Sequence, residues 1–166
     1  MENVFRLNRY TRNSADYSAG KYILWLFVSA LFFVNSFSFI VPIKLKVIIL
    51  KLFGAKLGMG LVIKPGVKIK YPWKLSIGDS VWLGENVWIE NIGNVKIGNN
   101  VCLSQGVTLC TGNHNYKSID FELIEHSMDI GSNVWIGCFN VILPGENVTS
   151  GTFVPAQSNI SRYRKL

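Results

Sequence analysis

A histidine beside a break in a repeated pattern is the strongest candidate for chemistry in this chain of 166 residues. His114 lies in the segment Thr-Gly-Asn-His-Asn-Tyr at 111–116, where a regular series of six-residue units stops. An imidazole titrates at about pH 6.5, so it can take a proton from a hydroxyl group as a general base. The hydroxyl oxygen can then attack an activated carbonyl, and backbone N–H groups can stabilise the oxyanion. The segment favours acyl transfer, although a surface histidine without a catalytic role fits the same spacing.

Other kinds of catalytic site fit the composition less well. A zinc site built on three histidines is disfavoured because the chain has two, His114 and His126, and we expect His126 to be an ordinary loop residue. A Ser-His-Asp hydrolase is disfavoured because the sequence has no G-x-S-x-G turn. Cys102, Cys110 and Cys138 are odd in number and lack CxxC spacing. We therefore expect small buried thiols in a reducing cytosol, without disulfides and without a metal.

Six-residue units dominate the second two-thirds of the sequence. They include IGDSVW at 77–82, IGNNVC at 97–102 and IGSNVW at 130–135. A period of six fits neither a helix nor an alternating strand, and it is typical of the hexapeptide class of parallel β-helix. Three units form one triangular coil of about 18 residues, with an aliphatic residue inward at the first position. The predicted fold is mainly β, a parallel β-helix preceded by an N-terminal helical segment.

Details of the pattern predict the corners and the interruption. A glycine often follows the inward residue, as at Gly84, and we expect it to ease the bend at a corner. Residues 115–129 fit no unit, so they are predicted to form a loop ejected from the solenoid before Ile130 restarts the pattern. The units after Pro144 depart from the consensus, with Glu146 at a position that is usually small and apolar. Looser packing is expected in these last coils.

Positive charge is concentrated at the N-terminus, although the whole chain carries +7. Residues 1–56 contain eight Lys or Arg against two acidic residues, whereas residues 57–166 contain nine against eight. A nearly neutral repeat region disfavours a nucleic-acid partner. The basic excess instead indicates contact with an anionic membrane surface.

An uncharged apolar stretch at 22–43 lies within this basic region. About 20 apolar residues are enough to cross a bilayer, so a membrane span is one interpretation. Ser29, Asn35 and Pro42 interrupt the stretch and favour a helical cap or an interfacial helix that covers the open end of the solenoid. We expect no cleavable signal. The expected location is the cytoplasm, with residues 1–56 at the inner face of the cytoplasmic membrane.

The run AKLGMGLVIKPGVKIKYPWKLSIGDSVWLG, together with LCTGNHNY and DIGSNVWIGCFNVILPG, resembles the hexapeptide-repeat O-acetyltransferases. The likeness is greatest to the group named for colanic acid biosynthesis and covers about residues 20–161. It implies a left-handed parallel β-helix assembled as a homotrimer, with acetyl-CoA bound in grooves between subunits. Residues 57–166 would form the acyltransferase domain, and residues 1–56 the cap or membrane-associated segment.

The resemblance also implies roles for individual residues. His114 matches the catalytic base of the family, and Asn115 stands where relatives often carry an acidic residue. The other matched positions are expected to bind the cofactor, and they are Trp135, Gly137, Cys138, Ala156, Ser161 and Arg162.

The implied function is transfer of an acetyl group from acetyl-CoA to a sugar hydroxyl of a surface polysaccharide or its lipid-linked precursor, with His114 as base. A second hypothesis rests on the end of the sequence, because relatives continue past Leu166 with a loop that helps to close over CoA. By that hypothesis the chain is a trimeric scaffold with little or no activity. A third hypothesis is a membrane-attached interaction module whose N-terminus is its main functional part.

Overall fold

The computed structural model describes residues 6–10, 18–35 and 37–158. A 3-10 turn, Leu7–Arg9, precedes helix α1, Ala19–Ser29, which continues as a π-helical turn over Ala30–Val34, and helix α2, Ile43–Leu52. The strands of the described chain are β1 Lys56–Leu57, β2 Val62–Ile63, β3 Lys68–Ile69, β4 Leu75–Ile77, β5 Trp82–Leu83, β6 Trp88–Glu90, β7 Val95–Ile97, β8 Val101–Leu103, β9 Thr108–Cys110, β10 Gly112–His114, β11 Leu123–Glu125, β12 Met128–Ile130, β13 Val134–Ile136, β14 Val141–Ile142 and β15 Phe153–Val154. A further 3-10 turn, Pro72–Lys74, precedes β4.

Three parallel sheets form the sides of a triangular solenoid, as the six-residue period predicts. The first sheet has the order β1-β4-β7-β12, the second β15-β13-β8-β5-β2 and the third β14-β9-β6-β3. Residues that occupy the same position in neighbouring coils are 20 apart in the early coils. They are 33 apart where the hairpin interrupts the solenoid, and 18 apart in the last coils. The extra residues all fall at one corner, between the third sheet and the first.

The core is a single column of aliphatic side chains along the axis of the solenoid. Burial of this apolar surface contributes about 25 cal/mol per Å² and is the main source of stability. The fully buried members are Val67, Val81, Leu83, Val87, Ile89, Leu103, Val107, Leu109, Ile136 and Ile142. The column continues through Val148 and Val154, which are 6% and 1% exposed. The inward positions after Pro144 are therefore buried as far as Val154, although the units there depart from the consensus.

The glycines that follow inward residues have a different role from the one expected. A Cβ at Gly84 would lie 2.7 Å from the backbone nitrogen of Gln105, so this position is occupied by glycine because the next coil approaches closely. The left-handed backbone occurs two residues later in many of the units, for example at Asn86 with φ 57°, Asn100 with φ 53° and Gly106 with φ 69°. Asn and Gly tolerate that conformation best among the amino acids.

The two N-terminal helices cover the first coil. Trp25 on α1 is 1% exposed, and its indole Nε1 donates a hydrogen bond of 2.8 Å to the carbonyl oxygen of Ile69. Its ring lies 5.1 Å from that of Phe53, which follows α2, and 5.5 Å from that of Phe33. These side chains belong to the same hydrophobic core as the solenoid. In the described part of the chain, every helix falls short of the length and apolar character needed to span a membrane.

Candidate active site

The corner between the third and first sheets carries a stack of three chemically active side chains. Lys70, Glu90 and Cys110 occupy the same position in successive coils, each 20 residues from the next. The Lys70 ammonium forms an ion pair with the Glu90 carboxylate, and the Cys110 Sγ lies 3.8 Å from Glu90 Oε2. Burial raises the pKa of the Cys110 thiol, and the Glu90 carboxylate also disfavours the thiolate. Cys110 is therefore held as a neutral thiol.

Buried polar side chains fix the backbone of this corner. Asn91, fully buried, donates a hydrogen bond of 2.7 Å to the carbonyl oxygen of Tyr71 and accepts one of 3.0 Å from its N–H group. One coil later Thr111, also fully buried, accepts a hydrogen bond of 2.9 Å from the N–H group of Gly93. Such satisfied buried groups hold the corner in a single geometry.

The interruption of the repeat is an ordered antiparallel hairpin formed by β10 and β11, with residues 115–122 as its turn. The hairpin closes at its base, where the N–H group of His126 donates a hydrogen bond of 2.8 Å to the carbonyl oxygen of Thr111. Lys74 ties the returning strand to the solenoid through an ion pair of 3.1 Å with Glu125. The repeat resumes with β12, which pairs with β7 of the preceding coil.

His114 ends β10, and two groups of Phe121 contact its imidazole. Its Nδ1 lies 2.8 Å from the carbonyl oxygen of Phe121. A carbonyl oxygen can only accept, so Nδ1 carries the proton and Nε2 of the neutral ring is left as an acceptor. The Phe121 ring stacks on the imidazole at 4.4 Å and 5°. Phe121 adopts φ 47°, a conformation unusual for an aromatic residue, at the point where its carbonyl oxygen meets the histidine.

The orienting acceptor is therefore a backbone carbonyl across the hairpin. Asn115 faces elsewhere, since its Nδ2 donates a hydrogen bond of 3.0 Å to Glu122 Oε1. Hydrogen bonding lowers the pKa of the Glu122 carboxyl, which stays ionised near neutral pH.

A cavity of about 400 Å³ opens beside the histidine. Its lining consists of Tyr10, Lys70, Trp88, Glu90, Ile92, Cys110, Gly112, His114 and Leu123. Tyr10 comes from the N-terminal segment, and its ring meets the imidazole edge-on at 5.3 Å. The segment is attached to the hairpin by a hydrogen bond of 3.0 Å from the N–H group of Arg6 to the carbonyl oxygen of Ile119. An aromatic wall beside a charged pair can bind a sugar by ring contact and hydroxyl hydrogen bonds.

The predicted cofactor residues form a second cluster, at the corner between the second and third sheets. A Cβ at Gly137 would lie 2.5 Å from the backbone nitrogen of Ala156, so the two coils are in close contact there. The carbonyl oxygen of Cys138 accepts a hydrogen bond of 3.0 Å from the N–H group of Gln157. Trp135 lies on the outer side of the second sheet, and its indole Nε1 donates a hydrogen bond of 2.9 Å to Ser104 Oγ.

Asn140 supports this second corner from within. It is 1% exposed, and its amide donates hydrogen bonds to the carbonyl oxygens of Gly137 at 2.8 Å and Pro155 at 2.7 Å. Its Oδ1 accepts a hydrogen bond of 2.9 Å from the N–H group of Ser158. No feature of the sequence predicted this role for Asn140. The two remaining predicted cofactor residues, Ser161 and Arg162, lie outside the described residues.

A single chain thus carries its candidate base and its candidate cofactor residues at different corners. His114 stands beside Lys70, Glu90 and Tyr10, none of which was predicted. The sequence did contain a signal that Lys70, Glu90 and Cys110 lie together, because their 20-residue spacing equals the length of one early coil. The described residues contain no group of three or more His, Cys, Asp or Glu side chains that could hold a metal ion.

Comparison with known proteins gives the class of this fold. No protein-family model matches the chain. The colanic acid biosynthesis acetyltransferase WcaF of Escherichia coli (strain K12) is 38% identical over 143 residues, which cover 86% of this chain and 78% of that protein. Galactoside O-acetyltransferase of the same strain is 31% identical over 111 residues, covering 65% and 55%. Among solved structures, a galactoside acetyltransferase in complex with coenzyme A aligns with a TM-score of 0.67 at 23% identity, covering 86% and 78%.

The fold is that of a left-handed parallel β-helix, and the chain is an acetyltransferase built from hexapeptide repeats. Within that class, the chain belongs to the family of the colanic acid biosynthesis acetyltransferases. The left-handed, mainly β fold and the acetyltransferase class predicted from the sequence are confirmed.

Proposed function

We propose that the chain transfers an acetyl group from acetyl-CoA to a hydroxyl group of a sugar, with His114 as general base. The observation that carries the proposal is the contact of His114 Nδ1 with the Phe121 carbonyl oxygen, which leaves Nε2 able to accept a proton. Colanic acid and galactosides appear in the names of two relatives, and coenzyme A is bound to a structural neighbour. These names support a saccharide acceptor, in a surface polysaccharide or its lipid-linked precursor, and a CoA thioester donor.

The proposed reaction is a direct transfer. Nε2 of His114 takes the proton of the acceptor hydroxyl as its oxygen attacks the carbonyl carbon of the acetyl thioester. The tetrahedral intermediate collapses by breaking the carbon–sulfur bond, and the imidazolium returns the proton to the departing thiolate. The products are an O-acetyl sugar and CoA, and no covalent enzyme intermediate forms. General base catalysis of this kind contributes about 10² to 10⁴ in rate.

The acceptor would occupy the cavity beside His114. Trp88 and Tyr10 provide aromatic surface, and Lys70 and Glu90 provide a hydrogen-bond donor and acceptor for hydroxyl groups. Because each missing hydroxyl partner would leave a polar group of the site unpaired, such a lining selects between sugars. The described hairpin, β10 to β11, borders the same cavity and would contribute to that choice.

The donor would bind between copies of the chain in a homotrimer, at the second corner. A site completed across a subunit interface explains why the base and the cofactor residues are apart in one chain. The outer side of the second sheet carries a half-exposed stripe of Trp82, Trp135 and Phe153, an apolar surface suited to such an interface. Trp135, Gly137, Cys138 and Ala156 would contact the pantetheine arm, and Ser161 and Arg162 the phosphates.

The proposed organisation assigns residues 57–166 to the acyltransferase domain, in which the expected loop 115–129 is replaced by the hairpin of β10 and β11 and the return to β12. It assigns residues 1–56 to a cap that attaches the enzyme to the inner face of the cytoplasmic membrane. A cytoplasmic location gives the site access to acetyl-CoA. A saccharide carried on a lipid would meet the enzyme at that surface.

Two measurements test the proposal. The purified chain is incubated with acetyl-labelled acetyl-CoA and a panel of saccharides, and mass spectrometry is expected to detect a sugar with one added acetyl group. Calorimetry is expected to detect binding of acetyl-CoA, and light scattering a mass of three chains. Absence of both transfer and binding at millimolar acetyl-CoA would contradict an enzyme and favour the trimeric scaffold.

A further inference from the structure

The N-terminal cap has an outward face that is apolar along its whole length. Helix α1 buries one stripe, at Trp25, Ser29 and Phe33, against the solenoid, yet the residues on its outer side are apolar as well. Phe37, the most exposed of the aromatic side chains on this face, is 68% exposed. The exposed members of this outward face are Ile23, Leu24, Leu26, Phe27, Leu31, Val34, Phe37, Phe39, Ile40, Ile43, Leu45, Ile48 and Leu52.

The uncharged polar side chains that the structure describes in this segment are turned away from solvent or paired locally. Ser29 and Ser38 are 8% and 0% exposed. The Asn35 side chain donates a hydrogen bond of 2.6 Å to the carbonyl oxygen of Leu31 and accepts one of 2.9 Å from the N–H group of Phe37. This arrangement is the reverse of an ordinary water-exposed surface, where polar groups face outward. It leaves few uncharged polar side chains facing outward, which suits a nonpolar environment, although the buried Ser38 hydroxyl has no hydrogen-bond partner within the described residues.

The charges that accompany the outward face all have one sign. The sequence contains no Asp or Glu between Ser18 and Gly78. Lys21, Lys44 and Lys51 are exposed beside the apolar residues. An apolar face edged by lysine is typical of helices that lie in the interface of a membrane with anionic lipids.

We propose that the outward face of the cap, residues 23–52, binds the surface of an anionic phospholipid bilayer. The helices lie parallel to that surface, because their inner stripe is already packed on the solenoid and only the outer side can enter lipid. A second copy of the chain is the poorer occupant. A self-complementary contact between two copies would bring the lysines of both faces close together, whereas phosphate head groups neutralise the lysines. The inference deepens the proposed membrane location, and it is testable without acetyl transfer.

Vesicle flotation tests the proposal directly. The full-length chain, without acetyl-CoA, is mixed with vesicles of phosphatidylcholine alone or with about one-third phosphatidylglycerol, and centrifuged through a density gradient. We expect flotation with the anionic vesicles and at least about tenfold weaker partition onto the neutral ones, since each lysine near the surface favours anionic lipid. Equal partition onto both vesicle types, or no flotation, would overturn the proposal.

Matched variants locate the binding face. The double substitution Phe37→Ser, Phe39→Ser removes two exposed aromatic side chains and should lower partition onto anionic vesicles by at least about tenfold. The control Tyr116→Ser, Ile119→Ser removes two exposed apolar side chains from the hairpin and should leave partition unchanged. An equal loss in both variants would contradict a face confined to the cap. Circular dichroism checks that both variants are folded.

Light scattering separates lipid from a protein occupant. The mass of the wild-type chain and of Phe37→Ser, Phe39→Ser should be the same in the absence of vesicles. If the variant loses subunits, the face joins copies of the chain and the lipid proposal is wrong. A chain that floats but transfers no acetyl group would contradict the proposed reaction and leave the membrane face supported.

Discussion

The carbonyl oxygen of Phe121 lies 2.8 Å from Nδ1 of His114, across the hairpin that interrupts the repeat. This contact assigns the proton of the neutral imidazole to Nδ1, and the parallel stacking of the Phe121 ring fixes the plane of the imidazole. The hairpin therefore does more than border the cavity. It supplies the group that orients the proposed base, which makes Phe121 a positioning residue.

Substitutions at Phe121 should separate the role of its carbonyl from that of its ring. Glycine can keep the positive φ of 47°, so Phe121→Gly should retain the hydrogen bond and lose less than about tenfold in kcat. Proline is confined to a negative φ, so Phe121→Pro should turn the carbonyl away and lower kcat about a hundredfold. The KM for acetyl-CoA should change little in either variant.

The tautomer of His114 distinguishes a positioning role of Phe121 from a purely structural one, because loss of packing alone would not move the proton. Long-range proton–nitrogen NMR correlations should show a proton on Nδ1 in the wild type and in Phe121→Gly, and a mixture of tautomers in Phe121→Pro. The chain contains only two histidines, so His126→Gln assigns the signals. Protonation of His114 on Nε2 in the neutral wild type would contradict the orientation described here.

Tyr10 should affect the acceptor and not the donor. Its ring lines the cavity and contacts His114 at 5.3 Å, so Tyr10→Ala should raise the KM for the sugar about tenfold and leave the KM for acetyl-CoA unchanged. Tyr10→Phe keeps the ring and serves as the matched control, with an expected KM within about twofold of the wild type. Steady-state kinetics with each substrate varied in turn measures both KM values. A change in the KM for acetyl-CoA would contradict the prediction.

Cys110 should be dispensable for transfer and slow to alkylate. Burial raises its pKa, so the thiol stays protonated at neutral pH and the reactive thiolate forms only as the pH rises above the ordinary thiol range. Peptide mass spectrometry after iodoacetamide treatment should give a higher pH midpoint of Cys110 alkylation for folded than for urea-unfolded protein.

Cys110→Ser should keep kcat within about threefold of the wild type, since sulfur takes no part in the proposed direct transfer. A loss of hundredfold or more would instead indicate an acetyl-cysteine intermediate.

Gly84 should be intolerant of any side chain because of the neighbouring coil. A Cβ there would lie 2.7 Å from the backbone nitrogen of Gln105, so Gly84→Ala should lower the free energy of unfolding by about 2 kcal/mol or more. Gly20→Ala in helix α1 is the control, with its nearest contact at 3.8 Å, and it should leave stability unchanged or raise it by up to about 1 kcal/mol. Urea denaturation followed by tryptophan fluorescence compares the two. Similar stabilities for both variants would show that the coils can separate at this point.

The solenoid was predictable because its repeat encodes one inward aliphatic residue in every unit. Ile77, Ile97 and Ile130 are all in the core, and each lies on a strand of the first sheet. The left-handed position of the units was harder to assign, because Ser80, Phe139 and Gln157 occupy it as well as glycine and asparagine. The close approach of the next coil also selects glycine at a different position. Only the observed φ angles of residues such as Asn86 separate the two causes.

The site was predictable at His114 and only in part around it. The break in the repeat directed attention to that residue, but the Phe121 carbonyl carries no side-chain signature, and its approach depends on how the hairpin folds back. Tyr10 is far away in sequence, so its contact with His114 could not be inferred from local patterns. The stacked pair of Lys70 and Glu90 was accessible from spacing, once the coil length of 20 residues was applied at their corner.

Acetyl transfer by His114→Ala tests the catalytic role of this histidine most directly. The wild type and the variant are compared at saturating acetyl-CoA with the best saccharide acceptor, and CoA release and O-acetyl sugar are both measured. Loss of the general base should lower kcat about a thousandfold, with binding of acetyl-CoA by calorimetry unchanged. A kcat within about twofold of the wild type would contradict His114 as the base.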